Sequence, residues 1–211
     1  MAHSKSKRNQ AASQKPQTLR IIGGKLRGSV LAYHGDPLTR PMKERVREAT
    51  FNLLGPQIKE TLAIDLFAGT GALGLEAISR GASAAVMIER HFPTVSLIRR
   101  NAEHLKLTDR VKIVAGDTFF WCLNPNQLER LEFSTSQTKR WTIFCSPPYR
   151  LYSDQASQMQ QLLDVLMDLA PVGSVMVVEA DEHFDPSQLP PPTEWDQRIY
   201  SPAHLYVGEK A

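Results

Sequence analysis

The stretch "TLAIDLFAGTGALGLEA", Thr61 to Ala77, limits this chain's fold more than any other. An apolar, strand-like run ends at an acid, turns through glycines and opens a helix. Gly69, Gly71 and Gly74 fall as G-x-G-x-x-G, and Glu89 follows Gly69 by 20 residues at the end of the next apolar run. Glycines in such a turn let the backbone bend sharply and approach a ligand closely, and an acid ending the second strand can bind both ribose hydroxyls. Taken alone, the turn fits a dinucleotide as well as a smaller nucleoside, and also fits a strand–helix junction that binds nothing.

The same alternation continues downstream. "SAAVMIE" precedes a helix at about 93–105, "VKIVAG" one beginning near Asp117, and "WTIFC" a loop and then a helix at about 156–169. Met159, Leu162, Leu163 and Leu166 share one face of that last helix, the spacing of a buried stripe. "GSVMVVEA" is a further apolar strand, and "QRIY" with "HLYVG" forms a terminal hairpin. Repeated strand–helix units predict an α/β fold: a doubly wound, mostly parallel seven-stranded sheet, covered on both faces. Ligands then lie beyond the carboxyl ends of the strands, where strand order reverses.

Ahead of this unit, "LRIIGG" and "RGSVLAY" predict a hairpin, and a helix is expected after Pro41 through about Leu54. Val46, Ala49, Thr50, Leu53 and Leu54 give that helix one apolar stripe, leaving Arg45 and Arg47 facing solvent or phosphate. Three segments are expected: a disordered basic tail at 1–18, a basic hairpin–helix extension at 19–60, and the alternating α/β domain at 61–211. Residues 122–140, polar and carrying Pro125, read as a surface insertion.

A length of 211 residues suits one buried α/β domain with a small extension. The net charge of +3 hides an asymmetry: residues 1–60 carry 12 Lys/Arg against 4 Asp/Glu, and the rest 13 against 18. A basic front on an acidic body implies a polyanionic partner. No apolar run approaches the roughly 20 residues of a membrane span, and the basic start lacks the apolar core of a secretory signal. Cys122 and Cys145 show no metal or redox spacing and read as buried thiols in a cytoplasmic protein.

Three features turn the nucleoside reading toward a sulfonium. Asp65, just before the glycine turn, would repel a pyrophosphate yet suits a methionine ammonium group. Asp117, directly after the third core strand, is placed to accept from an adenine amine, although helix capping is an alternative role. Ser-Pro-Pro-Tyr, at 146–149, follows the fourth core strand, and nothing in a nicotinamide site calls for it.

"RIIGGKLRG", "RPMKERVREATFNLL", "DLFAGTGALGLEAISRGA", "IER" and "SPPY" together resemble the bacterial RsmD-like family. That resemblance implies a Rossmann-like class I methyltransferase using S-adenosyl-L-methionine and acting on the exocyclic N2 of a guanine in 16S ribosomal RNA. It implies cofactor contacts from Asp65, Phe67, Ala68, Gly69, Thr70 and Gly71, from Glu89 and Arg90 at the ribose, and from Asp117 and Thr118 at the adenine. Ser146, Pro147, Pro148 and Tyr149 would hold the target base, and Arg20, Lys25, Arg27, Arg40, Arg45 and Arg47 would face RNA. The partner is then 16S ribosomal RNA or the assembling small subunit, met by a monomer with no membrane association and no metal.

Position 146 departs from the family, which usually has Asp there. A guanine amine is a poor nucleophile because its lone pair is delocalised, so the enzyme must accept its N–H bonds from a rigid loop. A Ser hydroxyl keeps an acceptor but loses the charge that roughly doubles such a bond. The expectation is an active enzyme with a lowered rate or a different base. Three rivals stay open: another amine acceptor such as adenine N6 or a protein glutamine, a catalytically silent RNA-binding relative, and a dehydrogenase.

Overall fold

The computed structural model describes residues 19–33, 41–128, 130, 140–191 and 194–211. The strands are β1 (Leu19–Arg20), β2 (Val30–Leu31), β3 (Leu62–Asp65), β4 (Ala84–Glu89), β5 (Val111–Ala115), β6 (Trp141–Cys145), β7 (Val175–Ala180), β8 (Trp195–Tyr200) and β9 (Ala203–Glu209). The helices are α1 (Glu44–Leu54), α2 (Ala72–Arg80), α3 (Phe92–His104), α4 (Thr118–Leu123), α5 (Pro125–Leu128), α6 (Leu151–Asp154) and α7 (Ala156–Leu169).

The main sheet has seven strands in the order β5-β4-β3-β6-β7-β9-β8. The first five run parallel, while β9 lies antiparallel between β7 and β8. Successive side chains of a strand point to opposite faces. On β3, Ala63 therefore packs toward α1, α2 and α3, while Leu62 and Ile64 pack toward α4 and α7. Both faces are covered, so these strands are apolar throughout. The chain leaves β3 toward β4 and β5, then crosses back to β6 on the other side. That reversal opens a crevice at the carboxyl ends of β3 and β6.

β1 and β2 pair antiparallel, and their turn lies on the last turn of α2: Lys25 N–H donates to the Ser79 carbonyl (2.8 Å) and Leu26 N–H to Ser79 Oγ (2.9 Å). Beneath them sits a buried charge group. Glu76 accepts from Arg47 Nε (2.9 Å), from Arg80 (2.9 Å) and from the Ile22 N–H (3.3 Å), and Arg47 Nη2 also donates to the Arg20 carbonyl (2.6 Å).

This geometry corrects one expectation. Arg47 is fully buried and meets neither solvent nor RNA. The buried face of α1 is Val46, Arg47, Thr50, Phe51 and Leu54, turned away from the expected stripe because Glu76 on the facing helix supplies a partner for the guanidinium. Ala49 and Leu53 are half-buried instead. The supposed insertion is also corrected at its start: Cys122 belongs to α4 and is buried, and 125–128 is helical. The tail at 1–18, Arg40 and most of 129–139 lie outside the described residues. Both cysteines are free, and burial pushes each thiol up to about 12, which leaves neither a nucleophile. Among the described residues no helix is long and apolar enough to cross a membrane.

Candidate functional site

The carboxyl ends of β3 to β7 carry the expected residues and stitch their loops together. Gly69 and Gly71 have φ of 50° and 75°, the left-handed region that glycine adopts without strain. Gly74 serves packing: a Cβ there would come within 2.7 Å of the Met87 side chain on β4. The acid that ends β4 closes the turn. Glu89 accepts from the Gly69 N–H (2.8 Å) and from the His91 N–H (2.7 Å), so it shapes the loop as well as offering lone pairs outward. Ala68 N–H donates to the Ile88 carbonyl (2.9 Å), and the Thr118 hydroxyl to the carbonyl of Leu66.

Asp65 sits at the bottom of this edge, 1% exposed. One carboxylate oxygen accepts from the Gly74 N–H (3.2 Å); the other, Oδ1, has no hydrogen-bond partner among the described residues. Burial raises its pKa from 3.8 to about 7, with the Gly74 N–H pulling the other way, Glu89 adding repulsion and the Phe67 N–H pulling it back a little further. A buried acceptor without a donor is costly. The arrangement fits a cationic donor from a ligand, as the ammonium of S-adenosylmethionine would be.

The other predicted cofactor residues are placed less uniformly. Phe67 packs edge-on against Phe119 (6.2 Å between centroids), Ala68 and Thr70 are buried, and Arg90 is exposed. Asp117 is exposed and caps α4 by accepting from the Phe120 N–H (3.1 Å), while Thr118 is buried. The capping alternative for Asp117 therefore holds, and it uses one of the two carboxylate oxygens. Phe119 packs into the core, but Phe120 beside it is exposed.

Ser146, Pro147, Pro148 and Tyr149 leave β6 at the same crevice. Pro147 is buried and Pro148 exposed, with the Pro148 carbonyl taken by the Leu151 N–H (2.9 Å). Sequence reasoning missed the residue that organises this loop. Glu179, on β7, accepts the Ser146 hydroxyl on one oxygen and the Tyr149 hydroxyl on the other (2.9 Å), while its backbone carbonyl accepts from Tyr152 (3.0 Å). The signal was present: an acid near the end of the apolar run "VMVVEA", just as Glu89 ends its own strand.

The RNA-facing candidates separate in space. Arg20, Lys25, Arg27 and Arg45 are exposed. Arg20 pairs with Glu44 (3.2 Å), and Arg45 donates to the carbonyls of Tyr200 and Ser201 (3.1 and 2.5 Å), in the turn beside the carboxyl end of β7. Lys25, held at the last turn of α2, lies about 12 Å along that helix from the glycine turn.

A family model described as "Conserved hypothetical protein 95" matches residues 19–208. The chain belongs to this family. It is the RsmD-like family, and the Escherichia coli K12 relative named Ribosomal RNA small subunit methyltransferase D is 38% identical over 132 residues, 63% of this chain. The chain spans 61% of that relative's length. The solved structure of the Escherichia coli protein yhhF is 26% identical with a TM-score of 0.71, covering 92% of this chain and 98% of that one. An RNA methyltransferase from Salinibacter ruber, solved in complex with S-adenosyl-L-homocysteine, shares the fold at 21% identity and a TM-score of 0.55, over 81% of this chain and 94% of that one. The architecture is that of a Rossmann-like class I methyltransferase.

Proposed function

We propose that this chain is an S-adenosylmethionine-dependent methyltransferase acting on the N2 amine of a guanine in 16S ribosomal RNA. One observation carries the reading. A buried carboxylate with an oxygen open to a cationic donor stands at the end of β3, beside the amine-holding Ser-Pro-Pro-Tyr loop at the end of β6. The name of the Escherichia coli relative supports the RNA substrate, and the family carries the guanine assignment.

Asp65 would take the methionine ammonium, the backbone from Phe67 to Gly71 would lie along the methionine, Glu89 with Arg90 would meet the ribose, and Asp117 with Thr118 the adenine. When bound, S-adenosylmethionine supplies a sulfonium methyl, an electrophile. The loop's part is to accept the N–H bonds of the target amine, through Ser146 Oγ and the Pro147 carbonyl, so that the nitrogen lone pair is aimed within about 3 to 3.5 Å of that methyl. Proline's locked φ keeps the carbonyl in place. Tyr149 offers a ring on which a displaced base can stack. Arg20, Lys25, Arg27 and Arg45 supply phosphate contacts, which give affinity more than sequence choice; Arg40 completes that set. The segment 19–60 acts as the RNA-binding extension of the catalytic unit at 61–211. The protein works as a cytoplasmic monomer on ribosomal RNA or the assembling small subunit.

Titration calorimetry with S-adenosylmethionine tests the cofactor, and absence of binding ends the reading. Mass spectrometry of 16S ribosomal RNA from cells lacking the gene tests the substrate: one N2-methylguanine is lost and returns with the wild-type gene. Ser146 favours a second reading, an amine other than guanine N2, which predicts an unchanged 16S guanine pattern beside a missing methyl group elsewhere.

A further inference from the structure

Glu179 is an acid inside an apolar strand, 7% exposed, with no cation among its described contacts. Burial raises its pKa, and hydrogen bonds from Ser146 and Tyr149 pull it back. From β6 and the following loop it is faced by Cys145, Ser146, Tyr149 and Tyr152; on β9 its register partner is the apolar Leu205. The sheet explains the meeting. Cys145 and Val178 are register partners in the parallel β6–β7 pair, so Ser146, the first residue past β6, comes beside Glu179, the next residue of β7.

The direction of the Ser146 bond matters. A hydroxyl has one hydrogen and two acceptor lone pairs. A free serine at the mouth of the loop would as readily turn its hydrogen toward an incoming amine, and two donors repel. With the hydrogen committed to a carboxylate, only lone pairs face the crevice, and a hydroxyl that donates to an anion is itself a better acceptor.

We propose that Glu179 is the positioning residue of the methyl-transfer loop: it holds the Ser146 hydrogen inward, so that serine and glutamate together supply the charged acceptor that a lone aspartate would supply at position 146. The same carboxylate fixes the Tyr149 hydroxyl and so sets both ends of Ser-Pro-Pro-Tyr. This rests on the amine-methylating reading above but not on which amine is methylated.

Two measurements test it. Carbon-13 titration of the Glu179 carboxyl by NMR needs no ligand and no turnover: Ser146→Ala removes a hydrogen bond to the ionised form, and the midpoint rises by roughly half a unit to one unit. An unmoved midpoint overturns the inference. In methyl transfer, Glu179→Gln lowers kcat roughly tenfold or more, with KM for RNA and affinity for S-adenosylhomocysteine kept. The Ser146→Ala/Glu179→Gln double variant then loses clearly less than the product of the two single losses, because most of the glutamate's effect runs through the serine and only the Tyr149 bond adds to it. Ser146→Asp alone crowds two carboxylates, and adding Glu179→Gln restores its rate. Wild-type kcat in Glu179→Gln, or losses that multiply in the double variant, mean that Glu179 only supports the fold. If the wild-type chain methylates no RNA, the functional reading falls, and the NMR midpoint still decides whether serine and glutamate are coupled.

Discussion

Glu76, under the N-terminal hairpin, and Asp65, at the mouth of β3, are buried to nearly the same degree, 0% and 1% exposed. Their surroundings are opposite. Glu76 is met by two guanidinium groups and a backbone N–H, whereas among the described residues Asp65 meets no cation: the Gly74 N–H donates to one oxygen, the Phe67 N–H adds a weaker pull, and Oδ1 has no hydrogen-bond partner. Removing a carboxylate from water is costly, and a fold that only needs rigidity compensates with cations, as it does at Glu76. Leaving Asp65 uncompensated makes sense where a ligand brings the cation. Arg47 Nη1 also lacks a hydrogen-bond partner among the described residues, so the difference lies in charge: Arg47 is paired with Glu76, and Asp65 is paired with no cation.

The largest break in that contrast is Arg47→Met. It leaves Glu76 with Arg80 and the Ile22 N–H and should cost about 3 kcal/mol or more, read by urea denaturation, since removing one partner of a buried pair strands the other. RNA affinity of the folded fraction should not change. Loss of RNA binding at full stability would restore Arg47 to the nucleic-acid face and undo the assignment.

Asp65→Asn should act the other way. S-adenosylmethionine affinity falls roughly 10- to 100-fold, the value of a charge-assisted bond of about 1.5–3 kcal/mol, while the ligand-free chain is no less stable at pH 8. An unchanged affinity by calorimetry would show that Asp65 does not meet the ammonium.

The pH dependence sharpens the same point. Because burial raises Asp65 from 3.8 to about 7, the folded chain holds a proton that the unfolded chain has lost across that window. The stability it contributes is present below about pH 4 and is lost as pH rises to about 7. Glu179 is shifted in the same direction, so the clean measure is the difference between Asp65→Asn and wild type. The variant's melting temperature relative to wild type should climb between pH 5 and pH 8. Cofactor affinity of the wild-type chain should rise over the same range and level off above it.

The smallest effect is expected at Arg45, two residues from Arg47 yet exposed. Arg45→Ala should lower the slope of log affinity for RNA against log salt by roughly 0.7 to 0.9 per lost phosphate contact. Its melting temperature should shift little, since the bonds to Tyr200 and Ser201 lie at the surface.

The alternation of strand and helix was readable because apolar periodicity is a local property. "WTIFC" became β6, the helix expected at 156–169 is α7, and the late runs "QRIY" and "HLYVG" lie in β8 and β9. The glycine turn and the acids at successive strand ends were readable for the same reason, since strand termini in a parallel sheet share one edge. Arg47 was misjudged because polarity predicts exposure only when no partner is known, and Glu76 is 29 residues away. Cys122, expected as a buried thiol, is buried, and only the insertion boundary drawn at 122 was misplaced, since α4 runs on to Leu123 before the polar run begins.

Sequence alone determined the class of fold, the sheet edge that carries the glycine turn and its acids, and the serine at position 146, because backbone periodicity and strand–helix junctions are written in consecutive residues. Tertiary structure decided which arginine is buried, which buried carboxylate meets no cation among the described residues and which acid stands behind Ser146. Each of those depends on the register between strands and the reach of side chains from facing elements, distances that no spacing along the chain encodes.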